Sequence, residues 1–235
     1  MRLDKFLSNS GFGSRKEIKS LIKQSAITVG DNIATDPGMQ VDEKTSDIRI
    51  NGITVSYKKY IYIMLNKPDG YVSATYDKRL PVVTTLLDEY VNSFEPYPVG
   101  RLDIDTEGLL ILTNDGDMCH RLLSPKSHVK KKYFVISDIP VNNDDISAFA
   151  QGVVLDDGYK TMGARLEMTD NPLHSYVTLY EGKFHQVKRM FEAVGKQVMY
   201  LKRVSMGNLH LDDNLELGQY RELTDTEIKL LNEEI

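Results

Sequence analysis

No apolar run in this chain of 235 residues is longer than six, Tyr60 to Leu65. A membrane helix needs roughly 20, so no membrane span is expected. The same limit shapes the fold. Short apolar runs suit buried strands, and helices must come from apolar residues spaced along one face. Tyr60 to Leu65, Leu109 to Leu112, Tyr133 to Ile136 and Tyr176 to Tyr180 read as strands. Gln186 to Val194 reads as a helix, because Val187, Met190, Phe191 and Val194 recur at helical spacing and Gly195 is placed to end it. On that helix Arg189 points away from the core and Lys188 lies on the flank. Strand and helix patterns in irregular order predict an α+β fold rather than a regular βαβ series. No internal repeat or low-complexity tract is present.

The first 59 residues read as a separate small unit. Leu3, Phe6 and Leu7 suggest a short helix, which Gly11 and Gly13 end. Ser14 and Glu17 form a capping-box signature for a second helix, with Ile18, Leu21 and Ile22 on one face. Arg15, Lys16, Lys19 and Lys23 fall largely on the remaining surface. Ile27 to Val29 reads as a strand, Gly30 to Asn32 as a turn, and Asn51-Gly52 as the turn of a hairpin. Residues 57–60 read as a link to the rest.

The net charge of -5 argues against a nucleic-acid partner only until it is divided. Residues 1–59 carry ten basic against seven acidic residues, leaving 19 against 27 in residues 60–235. Residues 120–133 hold Arg121, Lys126, Lys130, Lys131 and Lys132 with no acid. Residues 183–203 hold Lys183, Lys188, Arg189, Lys196, Lys202 and Arg203 against Glu192 alone. Three basic strips in an acidic chain point to an anionic partner, nucleic acid foremost. The single cysteine, Cys119, excludes an internal disulfide and fits a reducing, cytoplasmic setting. The N-terminal residues lack the apolar core of a signal peptide.

The densest chemistry lies in Gly100-Arg-Leu-Asp-Ile-Asp-Thr-Glu-Gly108, a polar loop before the strand at 109–112. Its carboxylates, Asp103, Asp105 and Glu107, allow three readings. One is a divalent-metal site shared with Asp115 and Asp117, although EF-hand spacing is absent and Arg101 is a poor neighbour for a cation. Another is an ordinary turn with exposed acids. The third is a carboxylate nucleophile or base held by a lysine or arginine. The histidines show no zinc spacing, and no P-loop, GxSxG or strand-linked GxGxxG occurs.

Two resemblances sharpen these readings. Arg2-Leu3-Asp4, Ser14-Arg15 and Ile27 to Asn32 resemble the S4 RNA-binding domain across nearly all of residues 1–59. Leu65-Asn-Lys-Pro-Asp-Gly70, Gly100-Arg-Leu-Asp103, Lys132-Tyr133 and Glu181 to Met190 follow the order typical of pseudouridine synthases. The chain is similar to the branch that acts on ribosomal RNA and carries an N-terminal S4 domain, and within it to members directed at 16S rRNA. Its end at residue 235 without a long basic tail points the same way.

The resemblance implies an S4-like domain over residues 1–59 and a catalytic domain over 60–235, built on a mixed, largely antiparallel sheet with a central cleft. It implies isomerisation of uridine to pseudouridine without cofactor or metal, at uridine 516 of 16S rRNA in an assembling small subunit, by a monomer. Asp103 matches the essential aspartate and Lys188 the basic residue that orients and charge-pairs it. Tyr133 matches the tyrosine that stacks on the base, with proton transfer as a further role. Arg101 would hold the flipped nucleotide's backbone or fill its gap, and Leu201 would pack on the uracil. Arg15, Lys16, Lys19, Lys23, Lys130, Lys132, Lys183 and Arg189 are the expected RNA contacts. The alternatives are a 23S-directed member of the family and a non-catalytic RNA-binding assembly factor.

Overall fold

The computed structural model describes residues 1–124 and 126–233. They divide into two compact units, Met1–Ile61 with Leu87–Pro96, and Tyr62–Leu86 with Tyr97–Ile235. The mixture of helices and strands is the α+β architecture expected.

The first unit opens with helices α1 (Leu3–Asn9) and α2 (Arg15–Lys23). Ser14 and Glu17 cap α2 reciprocally: the Glu17 amide donates to Ser14 Oγ, and the Ser14 amide donates to Glu17 Oε2. Orphan first-turn donors are thereby satisfied. Ile18 and Ile22 face inward and join Leu3, Phe6 and Leu7 of α1 in one apolar cluster. That cluster is closed by an antiparallel sheet of β1 (Ile27–Val29), β2 (Asn32–Ile33), β3 (Ile48–Ile50) and β4 (Ile53–Val55), ordered β2-β1-β3-β4. Asn51 and Gly52 join β3 to β4 with φ of 50° and 80°, the paired positive angles of the hairpin turn that Asn-Gly favours. A later helix, α3 (Glu89–Asn92), belongs to this unit too. Tyr90 meets Phe12 edge-on, and Ser93 Oγ donates to the Gly11 carbonyl at 3.0 Å. Nothing in the apolar pattern of residues 87–96 marks this return.

The second unit is built on one mixed sheet. Its strands are β5 (Tyr62–Lys67), β6 (Tyr97–Pro98), β7 (Glu107–Thr113), β8 (Lys131–Ser137), β9 (Arg165–Met168), β10 (His174–Leu179), β11 (Val198–Met206), β12 (Leu209–His210) and β13 (Tyr220–Glu222). The order is β13-β5-β7-β11-β8-β10-β9, with β6 beside β7 and β12 beside β11. Among the described strands, β7 and β11 alone pair in parallel. Helix α4 (Gly116–Leu123) buries Met118, Cys119 and Leu122 against Met64, Leu109 and Ile111 of the sheet. Phe149 of α5 (Asn143–Gln151) meets Phe191 of α6 (Gln186–Ala193) edge-on. Leu231 of α7 (Asp225–Asn232) joins the same core as α4. Strand β5 runs two residues past the expected end, because Asn66 and Lys67 continue the ladder opposite Leu109 and Gly108. Their polar side chains hide that extension in the sequence.

The parallel seam positions the site. Gly108, with φ of 97°, lies opposite Arg203, and a Cβ there would stand 2.3 Å from the Arg203 carbonyl oxygen. Glycine permits this approach of loop and strand. The loop before β7 is therefore held close to β11. On β8, strand alternation puts Lys131, Tyr133 and Val135 on one face and Lys132, Phe134 and Ile136 on the other.

Candidate active site

A cleft of about 700 Å³ opens where the loop of residues 99–106, the Tyr133 face of the sheet and the segment 182–187 meet. The loop is clamped from below. Lys67 is fully buried, and its Nζ donates to the carbonyls of Pro68, Ile104 and Thr106 at 2.9 to 3.0 Å. Ser73 Oγ donates to the Leu102 carbonyl and accepts the Leu102 amide, both at 3.0 Å. The Gly70 amide adds a bond to the Ile104 carbonyl. Three residues of the 67–73 segment thus fix the backbone on both sides of Asp103. Burial holds the Lys67 amine down at about 8, against the upward pull of Asp69, Asp105, Asp103 and Glu107.

Asp103 is half-buried at the cleft. Lys188 Nζ stands 3.8 Å from its Oδ2, and His185 Nε2 3.7 Å from its Oδ1. The expected Lys188–Asp103 ion pair is present, but it is not the lysine's shortest contact. Lys188 hydrogen-bonds both oxygens of Asp105, at 2.6 and 2.7 Å, and reaches Asp103 only as a longer ion pair. One lysine on the first turn of α6 is shared by two carboxylates of one tight loop, and the more exposed one takes the direct bonds. Burial would raise the Asp105 carboxyl, but the Lys188 bond and charge outweigh it and hold it below the ordinary range.

The opposite wall is the sheet. Tyr133 and Leu201 are both buried and line the cleft, with Arg203 directly across the ladder from Tyr133. Arg101 is exposed at the cleft and Lys183 lines its rim. The other expected RNA contacts are placed differently. Lys132 lies on the far face of β8, 3.4 Å from Glu167 and over the Tyr176 ring. It is Lys131 that faces the cleft, since alternate residues of a strand face opposite ways. Lys130 donates to Asn208 at 2.8 Å. Arg189 points away from the core as expected, but it is held by Asp156 and Asp157. Arg15, Lys16, Lys19 and Lys23 are exposed on α2 and make no ion pair among the described residues. Asp115, weighed as a metal ligand, caps α4 and accepts from the Tyr62 hydroxyl. Among the described residues no three His, Cys, Asp or Glu side chains gather as a metal would require.

Sequence reasoning missed His185. Its φ of 49° is left-handed, a costly conformation for a residue with a side chain. Its ring stacks on exposed Phe184 with centroids 3.7 Å apart. The absence of zinc spacing, the only property weighed for the histidines, says nothing of a contact with Asp103 made across the fold.

This cleft joins a clamped carboxylate, a lysine, an aromatic ring and an apolar wall, and the chain's similarities agree with it. The family model for RNA pseudouridylate synthase matches residues 61–193, and that for the S4 domain matches residues 1–46. The chain belongs to the RNA pseudouridylate synthase family. It is 50% identical to an uncharacterized RNA pseudouridine synthase of Bacillus subtilis, over 99% of each chain. It is 40% identical to the ribosomal small subunit pseudouridine synthase A of Vibrio cholerae, over 97% of this chain and 98% of that one. A solved pseudouridylate synthase structure matches with a TM-score of 0.69 at 36% identity, covering 98% of this chain and 99% of the other. As a pseudouridine synthase, the protein is an isomerase acting on RNA. It detaches uracil from C1′ of the ribose and rejoins it through C5.

Proposed function

We propose that this pseudouridine synthase modifies uridine 516 of 16S rRNA in an assembling small subunit, acting as a cytoplasmic monomer. The observation that carries the reading is the Asp103–Lys188 pair facing Tyr133 and Leu201 across a cleft of nucleotide size. The full-length likeness to synthases named for the small ribosomal subunit supports the choice of rRNA. In this reading the target base is flipped from its stack, at a cost of a few kcal/mol; Tyr133 stacks on it and Leu201 packs against it from the same wall. Asp103 attacks C1′ or C6, or takes the C2′ proton. Lys188, 3.8 Å away, orients that carboxylate and pairs with its charge. Arg101 holds the displaced backbone. A pseudouridine map of 16S and 23S rRNA from cells with and without the gene tests this. Loss of the modification at uridine 516 alone is expected. A change confined to 23S rRNA, or none in either, would refute it.

The exposed cations of α2 form the proposed grip on the RNA backbone, which neutralises phosphates without reading bases. Replacing Lys19 and Lys23 together by Ala is expected to weaken RNA binding. The slope of log K against log salt should become shallower by about 0.7 to 0.9 for each phosphate no longer neutralised. A filter-binding titration across salt concentrations reads both, and an unchanged slope would rule out this face.

A further inference from the structure

The cleft holds two cations that the roles above leave unused. Lys131 on β8 and Arg203 on β11 share the sheet face of Tyr133 and line the cleft with it. Lys131 Nζ donates to the Val129 carbonyl at 2.9 Å, and Arg203 Nε to the Leu109 carbonyl at 2.8 Å. Neither makes an ion pair among the described residues, and Arg203 Nη2 has no hydrogen-bond partner there. Arg203 is 2% exposed. A buried Arg203 beside a half-buried Lys131, with no carboxylate paired to either, opposes folding. Such local conflict is expected where function needs the charge. The other charged or titratable groups that line the cleft are Asp77, Arg101, Asp103, Tyr133, Lys183 and His185. Burial, and then the charge of Arg203, holds the Lys131 amine down at about 8.

The reaction creates a charge for these cations to meet. Breaking C1′–N1 leaves the electron pair on uracil, spread over N1, O2 and O4. Loss of the C2′ proton expels the same uracil anion, whereas attack at C6 makes an enolate on O4. Each route puts negative charge on the ring before C1′–C5 forms. The proton then lost from C5 is balanced by one gained at N1. We propose that Lys131, backed by the buried charge of Arg203, is a catalytic residue that stabilises the negative charge on the uracil ring during the isomerisation. This rests on the reading of the cleft as the uridine site. A fixed donor in a site shielded from water is aimed at charge that develops only in reaction, so it speeds the chemical step more than it tightens binding.

The test uses assembling small-subunit particles whose 16S rRNA carries [5-³H]uridine, enzyme in excess, and release of tritium as C5 loses its hydrogen. Lys131→Met should slow single-turnover release by about 100-fold or more, while RNA affinity stays within threefold of wild type. The wild-type rate should fall as pH rises through about 8, where Lys131 loses its proton. Lys131→Arg keeps the charge at high pH, so that decline should disappear while activity at pH 7 is largely retained. Lys67 titrates in the same range but is untouched in this variant. If Lys131→Met fails to fold by circular dichroism, the pH profile of Lys131→Arg decides. A Lys131→Met rate within threefold of wild type would overturn the proposal. So would a loss seen only as weaker, less salt-dependent binding, or an unchanged high-pH decline in Lys131→Arg. No release by wild-type enzyme would overturn the uridine-site reading, and the proposal with it.

Discussion

Replacing Asp103 by Asn is expected to abolish isomerisation, with a fall of at least about 10⁴-fold, while RNA binding stays within threefold of wild type. The amide has nearly the carboxylate's shape, so the loop should hold its form. Its backbone is fixed by Lys67, Gly70 and Ser73, none of which bonds the Asp103 side chain. The amide lacks the charge and basicity that attack or proton removal requires. Asp105→Asn is the informative contrast. Asp105 takes the direct bonds of Lys188. Neutralising it leaves that lysine free to pair with Asp103, so activity should remain within about tenfold of wild type. Tritium release and filter binding on one RNA measure both variants. Equal losses in the two would mean that the loop's total charge matters, and that Asp103 has no separate part.

Much of this site was legible in the sequence, and the missing parts share a cause. Asp103, Tyr133 and Leu201 line one cleft and Lys188 pairs with Asp103 there, although the four lie on a loop, a helix and two strands far apart in sequence. The spacing of apolar residues places the elements, and the family resemblance supplies which polar residues meet. Neither carries side-chain direction at single-residue resolution. Lys130, Lys131 and Lys132 read as one basic strip, yet only strand register decides that Lys131 faces the cleft and Lys132 faces Tyr176. Arg189 reads as a free cation because its partners, Asp156 and Asp157, lie about thirty residues away. The return of residues 87–96 to the first unit rests on Tyr90 and Ser93 meeting Phe12 and Gly11. No periodicity encodes such a contact.

Lys67 shows how far a plain reading can understate a residue, and its removal should have a large structural effect. As a lysine before a proline in a turn, it looks like an ordering residue. In the fold its ammonium is fully buried and holds three carbonyls, two of them in the loop that carries Asp103 and Asp105. Lys67→Met keeps most of the volume but strips those acceptors of their donor. Unsatisfied buried polar groups cost about 1 to 3 kcal/mol each, so urea unfolding should show a loss of about 3 to 5 kcal/mol. A loop released by about 1 Å should also lower the isomerisation rate by about 100-fold where the variant is still folded. The pH dependence gives a second signature. The folded amine titrates at about 8 and the unfolded one near its ordinary 10.5. Between those values the unfolded chain binds more protons, so this group's contribution to stability rises with pH. In Lys67→Met that rise is absent, and the stability gap from wild type should widen between pH 8 and pH 10. A constant gap would mean that the lysine is not buried as a charged group. A variant as stable and active as wild type would mean that the turn, rather than the ammonium, holds the loop.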